Sequence, residues 1–138
     1  MKTYKLLIMV AGLGAFMFFA CKKDNPEPQP APSMVGFWQG KYGAGENYPT
    51  NGYAFLFRAD GTIRVFNGTD TTSAAVAKGE GIYSILGATV TAKYTYLSEG
   101  GATFSFTGAV NSSFTFLEGT WGSGDNTSGN GRYFVVKN

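Results

Sequence analysis

Thr89-Val90-Thr91-Ala92-Lys93-Tyr94-Thr95-Tyr96 alternates without interruption, with Val90, Ala92, Tyr94 and Tyr96 on one side of an extended chain and Thr89, Thr91, Lys93 and Thr95 on the other. Successive side chains of a β-strand point to opposite faces, so this pattern predicts a strand with one dry face and one wet face. The same two-residue period recurs at 53–58, 103–107 and 113–116. After residue 34 no segment sustains the i, i+3, i+4 spacing of an amphipathic helix. The expected fold class is all-β.

Turn residues divide these runs. Ala59-Asp60-Gly61-Thr62 predicts a short hairpin loop in which Gly61 supplies a positive φ. Leu86-Gly87, Ser98-Glu99-Gly100-Gly101 and Asn111-Ser112 mark three more reversals between consecutive runs. The resulting strand set is 35–42, 53–58, 62–67, 80–85, 88–97, 102–109, 113–121 and 131–137, about eight strands in a meander. The connections 43–52, 68–79 and 122–131 are long and rich in Gly, Thr, Ser and Asn. Strands that each carry one apolar face bury it with no exposed edge by closing into an antiparallel barrel. A two-sheet β-sandwich is the alternative, because alternation alone does not separate closure from stacking.

The amino-terminal part follows a different pattern. Lys2 and Lys5 precede an apolar run from Leu6 to Ala20, shorter than the roughly 20 residues a membrane-spanning helix needs. Residues 1–20 are expected to be a signal peptide. Residues 21–34 form a tether in which the stretch 24–33, DNPEPQPAPS, holds four of the 5 prolines and is expected to be extended and semi-rigid. The domain is expected at 35–138. Phe18-Phe19-Ala20-Cys21 resembles the lipobox of bacterial lipoproteins, and CKKD followed by a Pro-rich tract resembles lipoproteins of the Bacteroidetes type. The resemblance implies lipidation of Cys21, membrane anchoring through that lipid and, with Lys22 rather than Asp after the cysteine, an outer-membrane address in the cell envelope.

At the first strand, Gly36-Phe37-Trp38 resembles the Gly-x-Trp motif that opens lipocalin, fatty-acid-binding and avidin-type barrels, the calycins. The resemblance implies a small barrel with Trp38 plugging one end and Arg132, from the last strand, lying against the indole. A second Gly-Thr-Trp-Gly at 119–122 leaves Trp121 open as the plug.

Composition limits the chemistry. With 0 histidines and 1 cysteine, there is no provision for a nucleophile–His pair, for His- or Cys-ligated zinc or for an internal disulfide. Without Lys2 and Lys5 the 11 basic residues fall to parity with the 9 acidic ones. A neutral domain lacks the field that attracts a phosphate backbone, which argues against nucleic acid. Glu80 and Glu118 are the carboxylates weighed as an acid–base pair, against the simpler expectation that both face water; no enzyme activity, cofactor or metal is expected. Asp125 in the 122–131 loop is one carboxylate, weak provision for calcium. Asp70-Thr71-Thr72 resembles the O-glycosylation signal of Bacteroidetes.

The aromatic residues remain. Tyr53, Phe55, Phe57, Tyr94, Tyr96, Phe104, Phe106, Phe114, Phe116 and Tyr133 are expected to share one interior. An eight-stranded barrel is just wide enough to be filled by side chains or to hold one small ligand, and so many rings favour filling. The expected function is a lipocalin-like binding barrel for a small apolar or glycan-like ligand, touched by Tyr53, Phe55, Phe57, Tyr94, Tyr96, Phe104, Phe106, Trp121 and Tyr133. The alternative is a protein-interaction module, an envelope inhibitor or accessory subunit, working through its loops around a filled barrel.

Overall fold

The computed structural model describes residues 31–98 and 100–138; the expected signal peptide, Cys21 and most of the tether lie outside the described residues. The domain is eight antiparallel strands, β1 (Gly36–Ala44), β2 (Asn51–Phe57), β3 (Thr62–Phe66), β4 (Lys78–Leu86), β5 (Thr89–Tyr96), β6 (Thr103–Val110), β7 (Phe116–Ser123) and β8 (Gly131–Lys137). Each pairs with the next and β8 pairs back with β1, so the meander closes into a small calycin-like barrel. The sandwich alternative is thereby set aside.

The strand that decides the fold behaves as its alternation requires. On β5, Val90, Ala92 and Tyr94 are buried while Thr89, Thr91, Lys93 and Thr95 are exposed. Asp60 shapes the β2–β3 hairpin, its Oδ1 accepting from the Thr62 backbone N–H at 2.9 Å while Gly61 takes φ +82°.

Closing so few strands requires sharp bends, and three mid-strand glycines provide them. A Cβ at Gly40, Gly81 or Gly119 would lie 1.9 Å from a carbonyl oxygen of the neighbouring strand, at Phe134, Lys93 and Thr107 respectively. No other residue fits so close an approach of two backbones.

One expected strand is displaced. Of the alternation Ser113-Phe114-Thr115-Phe116, the first three residues belong to the β6–β7 turn and Phe116 opens β7; the Asn111 Oδ1 accepts from the backbone N–H groups of Thr115 at 2.8 Å and Phe116 at 3.1 Å. Phe114 has a positive φ of 53° and packs on the core from this turn. Phe116 falls on the outer wall and stacks on Phe134, while Leu117 takes the inward place. Phe116 is therefore not an interior residue. The register of β7 against both neighbours is unbroken, so no bulge occurs at Glu118-Gly119.

The interior is filled. Phe55 stacks on Phe106 at 4.9 Å, Tyr133 stands edge-on to both, and Ile63, Val65, Val90, Leu117 and Val135 close around them. Geometries of this kind contribute about 0.5–1.5 kcal/mol per pair beyond the area buried.

Candidate functional site: an aromatic mouth

An up-and-down barrel has two ends, and here they differ. One end carries the entry to β1, the hairpin at 58–61, the two-residue turn at 87–88 and the end of β8. The other carries the long loops 45–50, 67–77 and 124–130, together with the β5–β6 connection.

The first end is sealed. Trp38 is 0% exposed, its Nε1 donates to the Met34 carbonyl at 2.8 Å, and Phe57 meets its ring edge-on. Met34, expected at the end of the tether, is itself buried and belongs to the plug. The cation above Trp38 is Lys137, whose Nζ lies 5.9 Å from the ring centroid and donates to the Ser33 carbonyl at 2.7 Å. Arg132 does not take this place. It opens β8 opposite Gly43 and Thr120, at the far end of the barrel, and its side chain is exposed on the outer wall. The reason is antiparallel order: the start of the last strand lies beside the end of the first, whereas Trp38 stands near the first strand's beginning.

The far end opens into a cavity of about 110 Å³ lined by Tyr42, Tyr53, Asn67, Tyr94, Tyr96, Phe104 and Trp121. Its rings meet at steep angles: Tyr42 and Trp121 at 87°, Tyr94 and Tyr96 at 84°, Tyr96 and Phe104 at 77°, Phe104 and Trp121 at 66°. Trp121 is fixed by its Nε1, which donates to the Gly43 carbonyl at 3.1 Å. The second tryptophan is thus a wall of the mouth.

Below these rings the Tyr53 and Tyr94 hydroxyls share a hydrogen bond of 2.6 Å. Burial, followed by the neighbouring phenols, pushes both well above the ordinary tyrosine range; burial raises Tyr96 as well. The three phenols stay neutral at physiological pH. They offer ring faces and hydroxyls, with no basic oxygen to draw a proton from a substrate.

Five of the expected ligand-contacting residues, Tyr53, Tyr94, Tyr96, Phe104 and Trp121, come together at this mouth. Phe55, Phe57, Phe106 and Tyr133 do not, being buried in the filled interior beneath it. Tyr42 and Asn67 line the mouth without having been singled out. Tyr42 carried a usable signal, since it continues the inward phase of Trp38 and Gly40 along β1; Asn67, just past the end of β3, carried none.

The other candidates disperse. Glu80 faces outward and pairs with Arg58 at 3.0 Å and with Arg64, and the Arg58 hydrogen bond first of all holds its carboxyl below the usual range. Glu118 is exposed on β7, which does not neighbour β4, so the two carboxylates form no pair. Asp125 bonds Lys93 on β5, and among the described residues no three His, Cys, Asp or Glu side chains gather in a way that could hold a metal ion. Asp70 closes a local turn, accepting from the Thr72 backbone and hydroxyl. On the outer wall a groove of about 530 Å³ runs beside the stacked Phe116 and Phe134, with Tyr48, Glu118 and Arg132 along it.

Compared with protein-family models, curated proteins and solved structures, the chain matches none.

Proposed function

We propose that the protein is an envelope lipoprotein, anchored through a lipid on Cys21, whose barrel binds one compact group of a small apolar or glycan-like ligand at the aromatic mouth. The carrying observation is the contrast between a barrel filled with rings and a cavity of about 110 Å³ walled by rings at one end only. Sites for whole small molecules span about 300–1,000 Å³, so this one suits a terminal group with the rest of the ligand in solvent. An acyl chain running down the barrel axis is incompatible with Phe55, Phe106 and Tyr133 lying across it.

The anchor is tested by feeding cells a labelled fatty acid. Label should appear on the full chain and vanish in Cys21→Ser; label persisting in that variant places the lipid elsewhere. The mouth is tested by a thermal-shift screen of lipids, oligosaccharides and small head groups. A stabilising ligand should lose its effect in Phe104→Ala, and a screen that moves nothing opposes the reading.

A second reading, a protein-interaction module, is favoured by the outer wall. The groove beside Phe116 and Phe134 lies near Tyr48, which is 77% exposed. Exposed aromatic surface with flanking charge suits a protein partner. Cross-linking on intact cells should then trap a partner through Tyr48 or Phe134, and none through the mouth.

A further inference from the structure

The chemical class that suits the mouth can be argued from its size and its walls. An engineered, enclosed apolar cavity of about 150 Å³ accepts benzene; at about 110 Å³ and open on one side, the mouth accepts a compact, rounded group that need not be fully enclosed. Six of its seven lining residues are aromatic, and among the described residues no charged side chain lines it. Sugars need several polar side chains to replace their water. Here the Tyr53 and Tyr94 hydroxyls already bond one another. Asn67 is the single amide. Walls that are nearly all aromatic, with neighbouring rings turned 66° to 87° from one another, suit a cation whose charge is spread over methyl groups and whose dehydration is easy, because such a cation is attracted to ring faces.

The three long loops at this end each carry an exposed carboxylate, Glu46, Asp70 and Asp125, the last paired with Lys93, and none of the three contains lysine or arginine. The nearest basic residues on the strands, Lys41, Lys78 and Arg132, occupy outward positions. With charge of both signs at this end, the rim supplies no net field, and selection rests on the aromatic walls.

We infer that the mouth is an aromatic cage for a methylated ammonium group, such as the head of choline, seated among Tyr42, Tyr96, Phe104 and Trp121. This rests on the mouth being the binding site and names what binds there.

The test is calorimetric titration of the full chain with tetramethylammonium, with choline, with the uncharged carbon isostere of choline and with methyl glucoside, while Trp121 emission reports on the mouth. Trp38, sealed at the other end, is an internal reference. Both cations should bind and change the emission, with the isostere weaker by about tenfold or more. Trp121→Leu, which keeps apolar bulk, should lose the cations by a similar factor while circular dichroism shows the barrel still folded. Incorporating progressively fluorinated tryptophan, which drains the ring's negative face without changing its shape, should weaken them in steps. Phosphatidylcholine vesicles that compete with choline, when phosphatidylglycerol vesicles do not, identify a lipid head as the source; failure of both leaves a soluble solute. Equal binding of the isostere, or binding of methyl glucoside alone, overturns the cage and keeps the mouth. Silence from every probe removes both.

Discussion

The two tryptophans stand at opposite ends of the barrel and are held in the same way. Each indole N–H donates to a main-chain carbonyl, Trp38 to Met34 at 2.8 Å and Trp121 to Gly43 at 3.1 Å, and each ring meets an aromatic neighbour edge-on. What separates them is cover. Over Trp38 lie the incoming chain at Ser33 and Met34 and the Lys137 ammonium, and the adjoining turns are short. Beside Trp121, at the end that carries the long loops, lies a cavity. The contrast teaches that the same anchoring bond serves a plug or a binding wall, according to what covers the ring. Stability is expected to be concentrated at the sealed end and recognition at the open one.

The sharpest way to break that contrast is to truncate each indole. Trp38→Ala should cost about 3–5 kcal/mol, the usual loss for a fully buried ring with its cavity. Trp121→Ala should cost no more than about 1–2 kcal/mol, because its ring is partly solvated before the change. Denaturant melts of both variants decide it. Equal losses would mean that the mouth is part of the core and that the ends do not divide the work.

Much of this was legible in the sequence, and the failures have physical causes. The β5 alternation and the Asp60-Gly61 turn were read directly because strand period and turn chemistry agree there. The phase of Phe116 was lost because Asn111 caps a turn with its side chain, so two aromatics spaced like a strand lie in a loop and on the outer wall. Arg132 was misplaced although the information existed: with eight alternating strands, a residue opening the last one cannot reach a residue near the start of the first, and Lys137 can. The division of rings between core and mouth was not legible. It depends on how far along the axis each ring sits, which follows from interstrand register and not from any one strand's period.

Alkaline pH probes the layer where core meets mouth. Tyr53, Tyr94 and Tyr133 all have pKa values raised above 10.0, chiefly by burial. In the unfolded chain these phenols ionise near 10, whereas in the barrel they hold their protons to higher pH. The stabilisation is complete below pH 10 and is lost as pH rises from there toward the folded values, by up to about 1.4 kcal/mol per pH unit for each phenol. Tyrosinate absorbance and circular dichroism should therefore change together in one steep transition. Ionisation of these three phenols well before the ellipticity falls would show that water reaches the interior.

Tyr133 sharpens the comparison from inside the core. Its hydroxyl is buried without a hydrogen-bond partner, against Leu117 and the space that Gly108 leaves open, while the Tyr53 and Tyr94 hydroxyls satisfy one another. An orphaned buried hydroxyl carries a desolvation cost that removing it relieves. Tyr133→Phe should stabilise the barrel by about 1 kcal/mol, whereas Tyr53→Phe should destabilise it by a similar amount by orphaning Tyr94. Loss of stability in Tyr133→Phe would point to a bound water that completes the hydroxyl's bonding.

The smallest effect belongs to the outer wall, where Glu80 joins Arg58 and Arg64 across β3 and β4. The Glu80 and Arg58 side chains are each 32% exposed, so solvent screens much of the attraction. Glu80→Gln should cost about 0.5 kcal/mol at neutral pH. Because the folded carboxyl lies below its unfolded value, the contribution is full above the unfolded pKa and fades as pH falls through the folded one. Wild type and variant should therefore converge in acid. Added salt should narrow the gap at neutral pH, and a difference unmoved by salt would assign the loss to lost hydrogen bonds to Arg58 and Arg64.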